Sequence, residues 1–470
     1  MLFNSFAFLL FFPIVCTFFF LIPRRFRWLW LLLASCYFYM SFIPWFIVIL
    51  FATIIIDYSA GLWLGRIQGK GRKWILGLSI FSNIGILFFF KYFNFFESNL
   101  QAFAQMLHWN YGAHALSLVL PIGLSFHTFQ ALSYVIEVYK GRQEPERHFG
   151  VYALYVMFFP QLVAGPIERP QNMLPQFHES QSFSYSRAVD GLKLMVHGFF
   201  KKIVIADGAA LAVNAVFGHV HAYQGLPLIA AAVLFSIQIY CDFSGYTDIA
   251  RGSARVLGFE LMKNFEAPFF SESIGEFWRR WHISLSTWFR DYIYIPLGGN
   301  RVSRLKQYRN VFVVFLLSGL WHGADWTFVV WGGLHGFFMA SSKFFAPLRK
   351  RVNALLQTER CPNVLRIFRQ AFTFSLVVFA FIFFRAASLS DGWYVVTHLG
   401  AGVIDQLSGS TALLGAFQGI YKGGFIVILC SIALLFVGSR LRPWAYYYTL
   451  IFWMLYFGTF GQQQFIYFQF

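Results

Sequence analysis

Near the start of the chain, the run from Phe6 to Ile22 reads FAFLLFFPIVCTFFFLI and contains no charged side chain. Apolar runs of about 20 residues recur along most of the chain, and a helix of that length crosses the roughly 30 Å hydrocarbon core of a bilayer. The 470 residues are 58% hydrophobic, 21% aromatic and only 12% charged, which is unlike a soluble globular domain. The sequence therefore predicts an all-α integral membrane protein.

The first run has to be distinguished from a secretory signal peptide. Met1 to Ser5 carry no charged side chain, and the arginines of Arg24 to Arg27 follow the apolar stretch instead of preceding it. No small-residue cleavage motif is present there. We therefore interpret this run as a retained first span.

The candidate spans are bounded by turn residues or charges, and a linker from Lys343 to Arg369 separates the later ones. They run over Phe6 to Ile22, Trp28 to Ile43, Trp45 to Leu64, Trp74 to Phe96, Leu116 to Tyr139, Ala371 to Phe384, Gly424 to Val437 and Trp444 to Phe460. With the segments between them they predict about ten to twelve transmembrane or re-entrant helices. We expect one membrane domain over residues 1–470, made of N-terminal hairpins (1–140), a core with broken helices (150–340) and C-terminal helices (370–470).

A formal net charge of +17 could indicate a nucleic-acid partner, so the positions of the basic residues along the chain matter. Basic clusters at Arg24 to Arg27, Arg66 to Lys73 and Lys140 to Arg147 lie in short loops between spans. The connections near Pro44 and from Glu97 to His114 have almost no basic side chains. This alternation follows the positive-inside rule. It predicts basic loops in the cytoplasm, an N-terminus outside and no nucleic-acid partner.

From Val151 to Gly336 the apolar stretches become shorter and polar clusters interrupt them. The clusters are Pro160 to Pro166 (PQLVAGP), Cys241 to Asp248 (CDFSGYTD) and Glu276 to Arg301. Interrupted, polar backbone at membrane depth is tolerated only where it is buried in protein or lines a wet cavity. We therefore expect broken helices and the functional site in this region.

The densest polar run is EFWRRWHISLSTWFRDY, from Glu276 to Tyr292. Read as one helix, it carries large apolar side chains on one side, from Trp278, Trp281, Leu285 and Trp288. Such a stripe is also typical of an interfacial helix with no catalytic duty. His282 favours function, because it follows Trp281 and has Ser286 one turn later, positions that can hold an imidazole in a fixed orientation.

The second constellation is SGLWHGADW, from Ser318 to Trp326, inside the apolar segment Val311 to Ala340. An ionisable side chain deep in a span is costly, and by default it indicates a functional site. The alternative is a neutral structural histidine bonded to a neighbouring helix. Gly319 and Gly323 bracket His322 and let another backbone or a ligand come close, which favours function.

Helical geometry predicts which residues near His322 in the sequence lie on the same face of its helix. His335 lies 335 − 322 = 13 residues beyond it, nearly on the opposite face of a continuous helix, so we do not expect it to share the site. Asp325 would lie on the same face as His322 and could accept a hydrogen bond from its ring.

A covalent or metal-based mechanism is disfavoured. Ser318, His322 and Asp325 could suggest a catalytic triad, but no Gly-x-Ser-x-Gly turn is present. Histidine pairs at i and i+4 are absent, and the 5 cysteines show no CxxC spacing. The sequence therefore predicts no metal and no bound cofactor.

A pair of histidines is suited to general-base catalysis. An imidazole can take the proton from an acceptor hydroxyl as that oxygen attacks an activated acyl carbon. A thioester donor would need no covalent enzyme intermediate. The second histidine could then steady the developing oxyanion or hold the acyl carbonyl.

These motifs resemble the membrane-bound O-acyltransferase (MBOAT) superfamily, in particular its bacterial branch that contains the integral membrane subunit of alginate O-acetylation. The matching runs are Met1 to Ser5, Pro121 to Tyr139 (PIGLSFHTFQALSYVIEVY), Phe159 to Pro166 (FPQLVAGP), Tyr240 to Asp248 (YCDFSGYTD), Glu276 to Arg301 and Gly319 to Gly336.

The resemblance implies a ring of tilted helices around a central tunnel, with the acyl donor entering from the cytosol. It maps the family's catalytic histidine onto His322 and the first polar residue of the pair onto His282. It also implies a bacterial cytoplasmic (inner) membrane location and a periplasmic or extracellular partner of the serine-hydrolase type. We expect supporting or tunnel-lining residues at Trp281, Ser286, Arg290, Asp291, Trp321, Asp325 and Asp242.

The leading hypothesis is an O-acetyltransferase that takes acetyl from cytosolic acetyl-CoA for O-acetylation of an exported cell-surface polysaccharide. A second hypothesis is D-alanyl or other acyl transfer from a carrier protein to a cell-wall polymer. A third is a transporter of polysaccharide or lipid-linked intermediates, because broken polar helices also mark transport sites. The sequence leaves the acceptor glycan open.

Overall fold

The computed structural model describes residues 1–109, 111–112, 116, 119–162, 165–355, 361–408, 424–438, 442–460 and 465–466. Helices, turns and loops account for all of these residues, and no strand occurs among them. Three segments are wound as π-helices, at Phe88–Tyr92, Lys201–Ala206 and Arg290–Tyr294.

The α-helices follow one another along the chain. They are α1 (Phe6–Leu21), α2 (Arg27–Met40), α3 (Phe46–Arg66), α4 (Gly71–Leu87), α5 (Phe93–Met106), α6 (Leu124–Tyr139), α7 (Phe149–Met157), α8 (Phe159–Leu162), α9 (Pro170–His178), α10 (Tyr185–Phe200), α11 (Asp207–Phe217), α12 (Leu226–Leu257), α13 (Ile274–Arg280), α14 (Ile283–Phe289), α15 (Arg304–His322), α16 (Trp326–Phe344), α17 (Ala346–Leu355), α18 (Pro362–Arg385), α19 (Leu389–His398), α20 (Val403–Ser408), α21 (Gly424–Val437) and α22 (Pro443–Phe457).

Four helical stretches among the described residues are long and apolar enough to cross a membrane. They are Phe46–Arg66, Gly71–Met106, Leu226–Leu257 and Pro362–Arg385, and Phe6–Leu21 and Ile426–Phe436 are shorter apolar helices. Large side chains stand on their outer surfaces, such as Trp74 and Phe81, which are 81% and 75% exposed. Apolar surface of this kind requires lipid instead of water. These features confirm the expectation of an all-α protein of the membrane class.

The chain divides into two compact units, and the first consists of residues 1–195 and 246–262. In this unit α3 and α4 pack against α6, while α2 packs against α7. Asp57 of α3 is buried and accepts hydrogen bonds from Ser79 Oγ at 2.6 Å and Asn83 Nδ2 at 2.9 Å, both on α4. A carboxyl group in an apolar helix is thus bonded to the neighbouring helix, as burial in a bilayer requires.

The second unit consists of residues 196–245 and 263–470. Helices α15 and α16 pack closely together, and α18 packs on α16. Lys202 is buried and its Nζ lies 2.8 Å from Asp207 Oδ1 and 2.9 Å from Asp242 Oδ1. The other carboxylate oxygen of Asp242 accepts a hydrogen bond from the backbone N–H of Ile466 at 2.9 Å.

The predicted break at Cys241 to Asp248 is wrong, because this segment lies inside the continuous helix α12. A polar cluster need not interrupt a helix when its side chains find partners elsewhere, and Asp242 pairs with Lys202. For the cluster Pro160 to Pro166, the structure shows the short helix α8 at Phe159–Leu162, while residues 163 and 164 lie outside the described residues.

Two other predicted boundaries also differ from the structure. The linker predicted from Lys343 to Arg369 is largely helical, with α17 inside it and α18 beginning at Pro362; residues 356–360 lie outside the described chain. The span predicted from Leu116 begins as a helix only at Leu124, after Gly123. Gly123 has φ 76°, a left-handed conformation that favours glycine and sets the helix start.

Candidate active site

The hairpin of α15 and α16 carries His322, and glycines bring its two backbones together. A Cβ atom placed on Gly319 would lie 2.2 Å from the carbonyl oxygen of Phe328, and one on Gly332 would lie 2.3 Å from that of Phe315. Neither contact is sterically possible, so both positions require glycine. The prediction that Gly319 allows a close approach is confirmed, and the approaching group is the backbone of α16.

His322 is the last residue of α15, and aromatic rings surround it. Its imidazole centroid lies 4.8 Å from that of Trp321, 5.0 Å from that of Trp331 and 5.3 Å from that of Phe384. The side chain is 4% exposed. The histidine is therefore held at the end of a helix, inside a shell of rings.

The prediction of one continuous helix through His322 and His335 is wrong. Gly323–Asp325 separate α15 from α16, so helical periodicity does not relate the two histidines. The ring of Trp331 lies 5.0 Å from that of His322 and 4.9 Å from that of His335. His335 is thus one aromatic ring away from His322.

Asp325 does not share a helical face with His322, which corrects a second expectation based on the same helix. It is the N-cap residue of α16, and its carboxylate accepts a hydrogen bond from the backbone N–H of Thr327 at 2.8 Å. The side chain is exposed. A capping carboxylate satisfies a free N–H group of the helix start, which accounts for this aspartate structurally.

The segment around His282 is two short helices instead of one. Helix α13 ends at Arg280 and α14 begins at Ile283, so Trp281 and His282 form the break. His282 has φ 42° and ψ 54°, a left-handed conformation that is uncommon for a residue other than glycine. Trp278, Trp281, Leu285 and Trp288 are all buried, so this stripe packs under other helices.

Asn264 fixes the orientation of the His282 ring. The carboxamide oxygen of Asn264 accepts hydrogen bonds from the backbone N–H of Ser284 at 3.2 Å and from its hydroxyl at 3.0 Å. His282 Nδ1 lies 3.1 Å from the same oxygen. All three side chains are buried.

This arrangement also determines the tautomer of His282. A backbone N–H can only donate, so the Asn264 atom facing Ser284 is the amide oxygen, and His282 Nδ1 must donate to it. The neutral ring then carries its lone pair at Nε2. The expected fixing of His282 by Ser286 is not what the structure shows, because the Ser286 hydroxyl donates to the carbonyl of Trp281 at 3.1 Å.

Trp321 links the two predicted histidines. Its ring centroid lies 6.1 Å from that of His282 and 4.8 Å from that of His322. Trp281, also predicted at the site, packs 5.1 Å from Phe265, whose ring lies 6.4 Å from that of His282. The structure therefore brings His282, His322, Trp281 and Trp321 into one buried aromatic cluster.

The remaining predicted residues lie around this cluster instead of in it. Asp242 precedes Phe243, whose ring lies 4.7 Å from that of His282. Arg290 and Asp291 form an ion pair of 2.8 Å at the surface. The carboxylate of Asp242 pairs with Lys202, and that of Asp291 pairs with Arg290.

An open groove of about 520 Å³ lies beside α13 and α14. Its lining includes the cationic side chains of Arg279, Arg290 and Lys343, the hydroxyl of Ser286 and the rings of Trp278 and Phe315. In the part of the chain that the structure describes, Arg279 and Lys343 have no anionic partner. The groove therefore offers positive charge at its rim and apolar surface below.

Sequence reasoning missed Asn264, Trp331 and Phe384, and it set His335 aside. Asn264 precedes His282 by 282 − 264 = 18 residues, and no spacing rule links an asparagine to a histidine at that distance. Trp331 and Phe384 look like ordinary apolar residues of a span. A signal was available for His335, since a second ionisable group within an apolar helix indicates a function by itself.

Comparisons with known proteins place the chain among membrane-bound acyltransferases. The sequence profile of the membrane-bound O-acyltransferase family matches residues 147–383. The chain is 37% identical to the probable alginate O-acetylase AlgI of Azotobacter vinelandii, over 84% of this chain and 77% of that protein. It is 35% identical to the peptidoglycan O-acetyltransferase of Helicobacter pylori, over 78% and 72% of the two chains. The teichoic acid D-alanyltransferase of Bacillus subtilis is 28% identical, over 57% and 69%.

Proposed function

The chain belongs to the membrane-bound O-acyltransferase family, and from that premise we propose that it moves acetyl groups from cytosolic acetyl-CoA across the membrane for O-acetylation of an exported polysaccharide. Relatives named as acetylating alginate and peptidoglycan support a glycan acceptor. The observation that carries the proposal is the buried cluster in which Trp321 lies between the rings of His282 and His322.

In the proposed reaction, His322 is the general base. Its imidazole takes the proton of the acceptor hydroxyl as the oxygen attacks the thioester carbonyl carbon. The tetrahedral intermediate then expels the thiolate of CoA, which takes the proton back from His322. The products are an O-acetyl ester and CoA with its free thiol, so no group stays on the enzyme.

The role that we propose for His282 differs from the one expected from the sequence, in which it steadied the oxyanion or held the acyl carbonyl. With the proton on Nδ1 bound to Asn264, the neutral ring offers a lone pair at Nε2 and cannot donate a hydrogen bond to an oxyanion there. We assign it the orientation of the acceptor hydroxyl, whose O–H can donate to Nε2. The negative charge that develops on the acyl oxygen then requires other donors.

The groove beside α13 and α14 supports a donor such as acetyl-CoA. Phosphate groups pair with arginine and lysine, and Arg279, Arg290 and Lys343 provide three such cations. The apolar floor at Trp278 and Phe315 suits the uncharged stem of a pantetheine arm. Positive charge on cytoplasmic loops also follows from membrane topology, so the groove needs a direct test.

The proposal includes the wider arrangement expected for this family. Residues 1–470 would form one domain of about ten to twelve helices around a tunnel, with the N-terminus outside the bacterial inner membrane. The acyl group would leave on the outer face, with a periplasmic or extracellular partner of the serine-hydrolase type passing it to the polysaccharide. Trp281, Ser286, Arg290, Asp291, Trp321, Asp325 and Asp242 remain proposed supporting residues.

The experiment combines turnover of labelled acetyl-CoA by the purified protein with mass spectrometry of cell-surface glycans. We expect His322→Ala to lower turnover by about 10³-fold and to remove the O-acetyl groups, because general-base catalysis contributes about 10²- to 10⁴-fold. The exposed His219 provides a matched control, and His219→Ala should keep full activity. Undiminished turnover in a folded His322→Ala protein would contradict the assignment.

A second candidate function is D-alanyl transfer from a carrier protein to a cell-wall polymer, which the relationship to the teichoic acid D-alanyltransferase favours. A protein that ignores acetyl-CoA but binds an acyl-carrier protein and consumes its aminoacyl thioester would support it. The family match disfavours the transporter hypothesis, because the family is one of acyltransferases.

A further inference from the structure

His335 is a buried histidine that the proposed mechanism does not use. Its side chain is 0% exposed, and its ring lies edge-to-face with Trp331 at 4.9 Å and stacks on Phe315 at 6.0 Å. The indole Nε1 of Trp278 donates a hydrogen bond to His335 Nδ1 at 3.3 Å. The His335 ring is therefore held by a hydrogen bond as well as by packing.

The Trp278 contact determines where His335 carries its proton. An indole N–H donates and cannot accept, so Nδ1 of His335 must be the acceptor and the proton of the neutral ring is on Nε2. This is the opposite tautomer to that of His282, whose Nδ1 donates to Asn264. His335 therefore presents a fixed N–H donor, while His282 presents a lone pair.

Two donors in this cluster lack an acceptor among the described residues, His335 Nε2 and Trp331 Nε1. Trp331 is 1% exposed and His335 is 0% exposed, so neither group reaches solvent. A buried N–H group without an acceptor is costly, and such groups are rare in native proteins unless they serve a function. Two such N–H donors on adjacent rings indicate that both bind the same ligand group.

The position of these donors relates them to the proposed site of acyl transfer. The ring of Trp331 packs against both His335, at 4.9 Å, and the proposed base His322, at 5.0 Å. Preorganised N–H donors in a dry pocket are the usual means of stabilising the oxyanion of a tetrahedral intermediate. Since Nε2 of neutral His282 cannot donate, the site requires donors from elsewhere.

We infer that Trp331 Nε1–H and His335 Nε2–H form a donor pair that binds the carbonyl oxygen of an acyl thioester beside His322. As the acceptor oxygen attacks, the π electrons of the carbonyl move onto its oxygen, and both N–H groups hold the resulting negative charge. Collapse of the intermediate restores the carbonyl and expels the thiolate. Trp278 acts as a positioning residue, since it fixes the tautomer of His335. This inference rests on the proposed acyl transfer at His322.

The test uses substitutions that keep ring volume while removing the donors. Trp331→Phe and His335→Phe should each lower kcat by about 10²-fold with little change in KM, because one oxyanion donor contributes about 10²- to 10³-fold in kcat. His335→Gln, whose amide can donate at the former Nε2 position, should keep more activity than His335→Phe. Trp453→Phe is the matched control, since the Trp453 N–H is already bonded to Ser431 Oγ at 2.9 Å outside the site.

A spectroscopic measurement separates the donor role from a packing role. In the His322→Ala protein, acetyl-CoA carrying a ¹³C-labelled carbonyl should bind without turnover and show a carbonyl stretch below its frequency in water. Adding Trp331→Phe or His335→Phe should raise that frequency, because a lost hydrogen bond depolarises the carbonyl. A purely structural role would lower protein yield or thermal stability and leave the frequency unchanged.

The possible outcomes distinguish this inference from the proposed function. If the wild-type protein moves no acetyl group from acetyl-CoA, the proposed function itself fails. If the wild-type protein is active but Trp331→Phe and His335→Phe keep full kcat and an unshifted carbonyl band, only the donor pair is wrong. If His335→Phe does not fold, Trp331→Phe and His335→Gln still decide the question.

Discussion

The two segments that carry the predicted histidines hold them by different means. Around His282, hydrogen bonds add to the ring contacts: Asn264 accepts from Ser284 and from the histidine itself, and the backbone adopts a left-handed turn. His322 packs against three aromatic rings, two of them on a hairpin whose helices touch at glycines.

The difference teaches that one site can place its two imidazoles by different kinds of contact. Hydrogen bonding at one ring nitrogen of His282 decides which nitrogen carries the proton. The packed rings of Trp321 and Trp331 fix the position of the His322 imidazole. A general base has to gain and lose a proton in each turnover, and a ring held by packing keeps its position while it does so.

The largest effect should come from removing the hydrogen-bonded support of His282. We expect Asn264→Ala to lower kcat by about 10³-fold, since a wrong tautomer in the Ser-His-Asp template costs about 10⁴-fold. Asn264→Asp keeps an acceptor for His282 and should lose much less. Turnover of labelled acetyl-CoA measures both variants, and equal losses in the two would break the contrast between the segments.

A smaller effect should come from disturbing the packed support of His322. Gly319→Ala places a methyl group 2.2 Å from the carbonyl oxygen of Phe328, so α15 and α16 must separate. We expect a loss of about 2 kcal/mol in stability, measured by thermal unfolding in detergent, because overpacking costs about 1–3 kcal/mol.

Gly333→Ala is the control for this variant, because a Cβ there would meet only Leu316 at 3.9 Å. It should leave thermal stability nearly unchanged. If both glycine variants melt like the wild type, close packing of the hairpin is not what supports His322.

The smallest effect should come from the rim of the groove beside α13. We expect Arg279→Gln to raise KM for acetyl-CoA about fivefold and to leave kcat unchanged, because an exposed ion pair contributes about 1 kcal/mol at most. Lys306→Gln removes an exposed cation outside the groove and serves as the control. An unchanged KM in Arg279→Gln would show that the donor phosphates bind elsewhere.

The sequence predicted the class of fold because it follows from composition. Long apolar runs of high mean hydropathy leave few structures other than helices in a bilayer. The bounds of α21 agree with the predicted span Gly424 to Val437. The errors occurred where polar residues were taken as breaks, as in α12, because Lys202, the residue that pairs with Asp242, is distant in the chain.

The candidate site was predictable only in part. His282 and His322 stand out as ionisable groups in apolar or aromatic surroundings, which is a local signal. Their supports are not local: Asn264 and Phe384 come from other segments of the chain. The argument that set His335 aside relied on a continuous helix, and the three-residue interruption Gly323–Asp325 removes that helical periodicity.

The left-handed backbone at His282 determines when the entropy of ordering its side chain is lost. A conformation of this kind costs about 1–3 kcal/mol at a residue with a β-carbon and persists only where its surroundings enforce it. Here Asn264 binds the ring of His282 and the following backbone N–H groups of Ile283 and Ser284. The entropy of ordering the imidazole is therefore lost once, during folding, and an arriving substrate meets a side chain that is already in place.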